Sequence, residues 1–389
     1  MLDKVQKLNY PIPVIMDGVW VNSLGVVRSL AELGLKSLVL NSSSKGVSLA
    51  SRYAIGMICP DPAQQPQELV EFLVELGRHL PEKSVFLVTD DVYLQAIDAG
   101  RAELEPYFYF PVPEYRMLVQ IMDKTFQYRV ARECGIPYPR TIHLESEADL
   151  AGWPVEAFPA VVKGRAAKGF SRASGRQVIQ VNSQEDLTRV YQDFGQYQLV
   201  IQEYLPGDDD HLYTLGSYIS PKGQALGIFT GRKLRQTPPS FGTCALGESL
   251  DCPQVAEQGL RLLSALGFYG ISQVEFKLDP RDGLYKLIEV NARFWKWHSL
   301  ATYCGVNLAA IAYLDLIGRN STPAVSQRYG VRWTCLAEEL KELLRGRMSF
   351  KEVVGGCKPP FVDGLLDLRD PLPSFKYVVD WVAEKVSKK

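Results

Sequence analysis

The stretch "VEFKLDPRDGLYKLIEVNAR", residues 274–293, decides how this chain is read. Two runs of alternating character flank "RDG", a turn signal that predicts a β-hairpin. In extended backbone, side chains two apart share a face, so Glu289, Asn291 and Arg293 point one way while Val290 and Ala292 point the other. On the partner run Glu275 alternates with Val274 and Phe276. Two carboxylates and an amide oxygen gathered across adjacent strands make a hard-oxygen site suited to Mg²⁺, whose few protein ligands leave room for phosphates and water. Without a cation the carboxylates repel each other. Arg293 is placed for bidentate contact with a phosphoryl or acyl-phosphate group.

Three upstream segments supply further candidates. In "AVVKGRAAKGFSRASG", residues 160–175, an apolar strand delivers Lys163. The loop expected after it carries Gly164, Lys168 and Gly169 with Arg165 and Arg172. Backbone N–H groups and cations in such a loop can fold over phosphates, although the same composition describes a solvated basic hairpin. Lys124, in "MDKTFQYRVARECGIPYP", reads as a solvated helix lysine unless it joins a site. In "VIQEYLPGDDD", residues 200–210, Glu203 and the backbone can meet a planar base against Tyr204 and Leu205, with Asp208 or Asp210 for hydroxyl groups. The three acids lack the spacing of an EF-hand.

The remaining sequence frames these motifs. The chain has 389 residues, 46% hydrophobic and 22% charged, with a formal net charge of −1, which gives no general reason to expect a nucleic-acid partner. Its seven cysteines include no CxxC pair, so neither a disulfide framework nor a thiolate zinc site is indicated, and a reducing cytoplasm is expected. No signal-peptide pattern or membrane-spanning run is present in the sequence, so no stable membrane insertion is expected. The C-terminal "SFKYVVDWVAEKVSKK" can be drawn as an amphipathic helix, for docking or for a membrane surface. Near the other end, "PVIMDGVWVNSLGVVRSLAELGLKSLVLN" reads as a βαβ opening without the GxGxxG spacing of a nicotinamide fold. Residues 1–112 therefore form an expected parallel α/β domain, and the following region alternates strands, hairpin signals and helices in an α+β pattern. From about 325 onward no motif is legible.

Taken together, Lys124, "PAVVKG", "QEYLPG" and the Glu…Glu-x-Asn-x-Arg pattern of the opening stretch resemble the ATP-grasp superfamily. The resemblance implies a pre-ATP-grasp α/β domain at 1–112, a two-lobed ATP-grasp domain at 113–325 (lobes about 113–200 and 201–325) and an extension at 326–389. It implies that Lys124 and Lys163 contact nucleotide phosphates, with 164–175 as a mobile loop over them, Lys168 and Gly169 included. Glu203, Tyr204 and Leu205 would line the adenine site, with Asp210 at ribose. Glu275, Glu289 and Asn291 would ligate Mg²⁺, as two ions, with Mn²⁺ an alternative. Arg293 would stabilise the transferring phosphoryl group.

Within the superfamily, "FTGRKLRQTPPSFGTCALGES", residues 229–249, resembles carboxylate-amine ligases of the D-aspartate ligase type, with Arg232, Lys233 and Arg235 facing phosphate and an anionic substrate. The implied activity is ADP-forming ligation of a small carboxylate and an amine through an acyl phosphate, by an enzyme that can be a homodimer. The rivals are a bicarbonate-activating or carbamoyl-phosphate-synthase-like enzyme and a non-catalytic nucleotide-binding module. Trp295, Trp297 and His298 are candidates for either an acceptor pocket or a packed corner.

Overall fold

The computed structural model describes residues 5–17, 19–164, 167–176, 178–238, 242–319 and 326–387. Its first sheet contains β1 (Pro13–Met16), β2 (Ser37–Asn41), β3 (Ala54–Ile58), β4 (Ser84–Val88) and β5 (Phe108–Tyr109), all parallel, in the order β3-β2-β1-β4-β5. Strands β1, β2 and β4 are buried along their whole length, which is why "PVIM" and "SVFLV" read as continuous apolar runs rather than alternating ones. The strand order reverses between β1 and β4. Their carboxyl ends therefore flank the crevice where open parallel sheets bind ligands.

A four-stranded antiparallel sheet follows: β6 (Thr141–Leu144), β7 (Ala160–Gly164), β8 (Ile179–Val181) and β9 (Leu199–Glu203), in the order β6-β9-β7-β8. Its core, with Val162, Phe170, Leu187 and Ile201, is separate from the others. The segment expected to be a loop after Lys163 is partly helical, over Ala167–Ser174. Phe170 lies against Gly164, where a Cβ would come within 2.3 Å of its ring-bearing carbon. The expected loop thus has an apolar anchor, which the glycines and cations around it concealed.

The third sheet has β10 (Leu212–Ile219), β11 (Ala225–Thr237), β12 (Thr243–Ser249), β13 (Gly270–Asp279), β14 (Leu284–Asn291), β15 (Arg332–Thr334) and β16 (Phe361–Asp363). The order is β14-β13-β10-β11-β12-β15-β16, so the segment beyond 325 adds two strands to this sheet. Helix Pro253–Ala265 packs on one face, with Gly259 against Leu215. On the other face the indoles of Trp295 and Trp297 sit on a floor of Gly216, Gly231 and Gly247, and a Cβ at any of the three would meet indole carbons within 3 Å. Both tryptophans and His298 are buried, in a core shared with the helix Val21–Ala31 of the first sheet. The aromatic cluster after Arg293 is a packed corner.

Two helices follow Pro113, Tyr115–Met122 and Lys124–Glu133. Asp123 breaks them: its side chain accepts from the N–H groups of Thr125 and Phe126, capping the second helix. Lys124 consequently occupies a first turn, beside the third sheet. Among the described residues no helix is long and apolar enough to cross a membrane.

Candidate active site

The opening hairpin forms as its sequence predicts, with Glu275 directly opposite Glu289 and Gln273 opposite Asn291. The register shifts after the glutamate pair, since Phe276 faces Leu287, leaving Ile288 as a bulged residue. The hydroxyl of Tyr128 donates to the freed Ile288 carbonyl at 3.0 Å. Gln127, one residue earlier in the helix, fixes the next link of β14: its amide donates to Val290 O at 3.2 Å and accepts from Val290 N–H at 3.0 Å. The helix carrying Lys124 is thus bolted to the strand carrying Glu289.

Around the carboxylates the charges are paired. Lys124 Nζ lies 3.0 Å from Glu289 Oε2, and Lys233 Nζ lies 2.7 Å from Glu275 Oε1. The Lys124 ammonium is the largest influence holding the Glu289 carboxyl well below the usual range, and Glu289 in turn holds Lys124 above its own. Burial pushes the Glu275 carboxyl up, against the pull of Lys233, because it and Lys233 are each under a tenth exposed. Asn291 donates to Glu289 Oε1 at 3.1 Å and Gln273 to Glu275 Oε1 at 3.2 Å. Among the described residues no group of three His, Cys, Asp or Glu side chains clusters as a metal site. Two carboxylates and the Asn291 amide are nevertheless a donor set that fits a Mg²⁺ whose other ligands are phosphate and water, and two ammonium groups already stand where positive charge is required.

Lys163 differs from the other cations. It leaves β7 toward β9 and donates to the neutral Gln202 Oε1 at 2.9 Å, while Gln202 donates to Tyr128 Oη at 2.9 Å. Burial, then repulsion from Lys124, pushes its ammonium down to about 7. Lys163, Lys124, Glu275, Glu289, Asn291 and Lys233 therefore form one continuous polar surface between the second and third sheets.

The other expected residues fall around this centre. Arg293 extends from the end of β14 to Asp91, Nε to Oδ1 2.7 Å, at the start of helix Asp91–Ala99. Phe294 N–H donates to Val88 O, seating Arg293 on the β1/β4 crevice. Asp17, at the end of β1, has φ +72° and a carboxyl pushed up to about 6 by burial and by Asp90. Arg232 pairs with Glu248 at 3.0 Å, one strand away. Arg235 pairs with the buried Glu339, and Lys296 with Glu338 at 2.5 Å.

At the other end, Glu203 pairs with Arg281 and accepts from the Arg140 N–H at 3.1 Å. Glu203 and Tyr204 line a cavity of about 470 Å³ with Phe158 and Pro159, and Leu205 offers its carbonyl to Lys277 at 2.8 Å. Asp210 pairs with His211 at 2.8 Å, whereas Asp209 accepts both the backbone and side-chain N–H of Gln236. Gly164 and Gly169 are backbone positions at the end of β7 and within the following helix. Arg165 and the side chain of Lys168 lie outside the described residues.

Sequence reading missed Gln202, Gln127, Asp91, Lys296 and Glu338. An uncharged glutamine or a single acid carries no periodicity; only the strand pairing of β7 with β9, or of Arg293 with another sheet, reveals them.

Comparison with known proteins gives one family match and several likenesses of fold. A family model described as "Carbamoyl-phosphate synthase L chain, ATP binding domain" matches residues 249–314, which include the whole β13–β14 hairpin. D-aspartate ligase of Enterococcus faecium (strain Aus0004) is 26% identical over 263 residues, covering 64% of this chain. The match spans 62% of that relative's length. Among solved structures, biotin carboxylase of Campylobacter jejuni superposes with a TM-score of 0.64 at 16% identity, over 82% of this chain and 74% of that one. N5-carboxyaminoimidazole synthetase of Staphylococcus aureus gives 0.62 at 14% identity, over 82% and 81%. L-amino acid ligase of Bacillus licheniformis gives 0.60 at 16% identity, over 80% and 75%. These likenesses establish a shared fold.

Proposed function

We propose that this chain, an ATP-grasp protein by fold, is an ATP-dependent, ADP-forming ligase that activates a carboxylate as an acyl phosphate and joins it to the amine of an amino acid or small peptide. The observation that carries the reading is the cross-strand pair Glu275 and Glu289 with Asn291, ringed by Lys124, Lys163 and Lys233. Phosphoryl transfer needs positioning and charge compensation more than covalent participation, and this surface supplies both. The three carboxylate and amide side chains would hold Mg²⁺, which when bound would neutralise phosphate charge and polarise the transferred group.

The chain's own residues set the remaining conditions. Lys163, bonded among the described residues to a neutral amide, is ready for a phosphate oxygen without first breaking an ion pair there. The cavity beside Glu203, Tyr204 and Phe158 suits a planar base. The crevice at the ends of β1 and β4 suits the acceptor: Arg293 offers a guanidinium to an anionic group, and Asp17 and Asp91 offer carboxylates to an ammonium. Asp17, with its raised carboxyl, is suited to take a proton from that amine.

The similarity to a D-aspartate ligase supports a carboxylate-amine reading with an acidic amino acid among the substrates. Release of ADP from ATP with a panel of amino acids and carboxylates tests it. Stimulation by an amino acid paired with a second carboxylate supports the reading; stimulation by bicarbonate alone would move it to a carboxylating enzyme, and no stimulated turnover in any pairing would leave a nucleotide-binding module. Glu289→Ala should abolish the stimulated rate.

A further inference from the structure

We propose that Lys124 and Lys233 are resident counter-ions of the Glu275 and Glu289 carboxylates, exchanged for a divalent cation only when nucleotide arrives with it. The inference rests on the reading of Glu275 and Glu289 as metal ligands and adds the order in which the site can load.

The geometry is that of a stand-in. Each carboxylate holds one ammonium, Glu275 with Lys233 at 2.7 Å and Glu289 with Lys124 at 3.0 Å, and the two lysines come from different elements, β11 and the start of helix Lys124–Glu133. Lys233 reaches Glu275 across an intervening strand: β10 lies between β11 and β13, and there Thr214 stands opposite both Glu275 and Gly231. The Lys233 ammonium also donates to Gln236 at 3.4 Å, so a second partner awaits it when Glu275 is taken.

Charge counting gives the consequence. Two carboxylates and two ammonium groups are neutral together, so the lysines satisfy the buried Glu275 and the partly buried Glu289 without a metal. A divalent cation alone would compete with both lysines and leave their two positive charges unbalanced. Nucleotide alone would find Lys124 already engaged. Arriving together, the metal takes the carboxylates and the phosphates take the freed ammonium groups, which makes metal and nucleotide binding strongly and reciprocally coupled. Lys163, with its neutral partner, is outside the exchange and makes the first phosphate contact.

Binding of Mn²⁺ to the full chain at pH 8, followed by the paramagnetic resonance of free Mn²⁺ with and without ADP and corrected for the Mn–ADP complex measured without protein, tests this. The wild type should bind Mn²⁺ at least tenfold more tightly with ADP than without. Lys233→Met should bind Mn²⁺ alone at least tenfold more tightly than the wild type, whereas Lys233→Arg, which keeps the charge, should stay within threefold of it. If Lys233→Met does not fold, Lys124→Met makes the same comparison at Glu289. Wild-type affinity that ignores ADP, or a methionine variant that gains nothing while the wild type binds Mn²⁺, overturns the exchange alone. No Mn²⁺ binding to the wild type in either condition overturns the metal-site reading together with it.

Discussion

Replacing Gly216 by alanine should damage the protein more than any other one-carbon change on the glycine floor beneath Trp295 and Trp297. A Cβ built at Gly216 falls 2.0 Å from Trp295 Cη2, 2.6 Å from Cζ2 and 2.9 Å from Cζ3. Neither side can yield easily. The glycine backbone is held between Phe229 on β11 and Gln273 on β13, and the indole is 2% exposed between the glycine floor and the rings of Phe229 and Trp297. Overpacking typically costs ~1–3 kcal/mol, and a clash this short with a rigid ring belongs at the upper end, about 3 kcal/mol. At roughly 2 °C per kcal/mol for a larger chain, the melting temperature should fall by about 6 °C.

Near-UV circular dichroism, which reads the tryptophans themselves, is the assay, with guanidinium unfolding beside it. The three clashing atoms all belong to the benzo ring of the indole, so Trp295→Phe should relieve the strain. The double variant should be more stable than the sum of the single effects by at least ~1 kcal/mol, as expected for residues in direct contact. Because Arg293 and Lys296 flank Trp295, turnover should recover in parallel. A Gly216→Ala protein melting within 1 °C of the wild type, or strictly additive variants, would refute the wedge.

Three further outcomes follow from the same structure. His298 is buried, its Nε2 donates to Asn22 O at 2.8 Å, and burial pushes its imidazolium down to about 4. The unfolded chain takes up this proton near 6.5 while the folded one does not, so stability should fall as pH drops from about 6.5 toward 4, by up to about 3 kcal/mol; guanidinium melts of His298→Gln should lack that component. Lys163, down at about 7, is largely neutral at pH 8, and phosphate contact favours its charged form, so ATP binding should take up close to one proton. Calorimetry in buffers of different ionisation enthalpy reads the uptake, which Lys163→Met should remove. Gln127→Leu strips three buried hydrogen bonds, to Ile121 O, Val290 O and Val290 N, and should cost about 2–4 kcal/mol by chemical denaturation.

The sequence carried the site unevenly, for physical reasons. Alternation in "EVNAR" was legible because a strand's period of two separates a polar face from a packed one, and "RDG" set its partner. The bulge at Ile288 was not, because it depends on the hydroxyl of Tyr128, from another element, donating to the Ile288 carbonyl. Continuous apolar runs announced the parallel sheet. The helix after Lys163 stayed hidden because one buried phenylalanine, Phe170, holds a segment otherwise composed like a loop. Strands β15 and β16 are three residues each, too short for any period to show. The rings after Arg293 could be read either as a pocket or as a packed corner until three glycines, separated by up to thirty-one positions in sequence, proved to be their floor.

Trapping with hydroxylamine tests the central claim most directly. With a stimulating carboxylate, ATP and Mg²⁺, an acyl phosphate formed at the Glu275–Glu289 surface should yield one hydroxamate for each ADP, and both should vanish in Glu289→Gln. Hydroxamate accompanied by AMP and pyrophosphate, or ADP formed without hydroxamate from every stimulating carboxylate, would contradict the account.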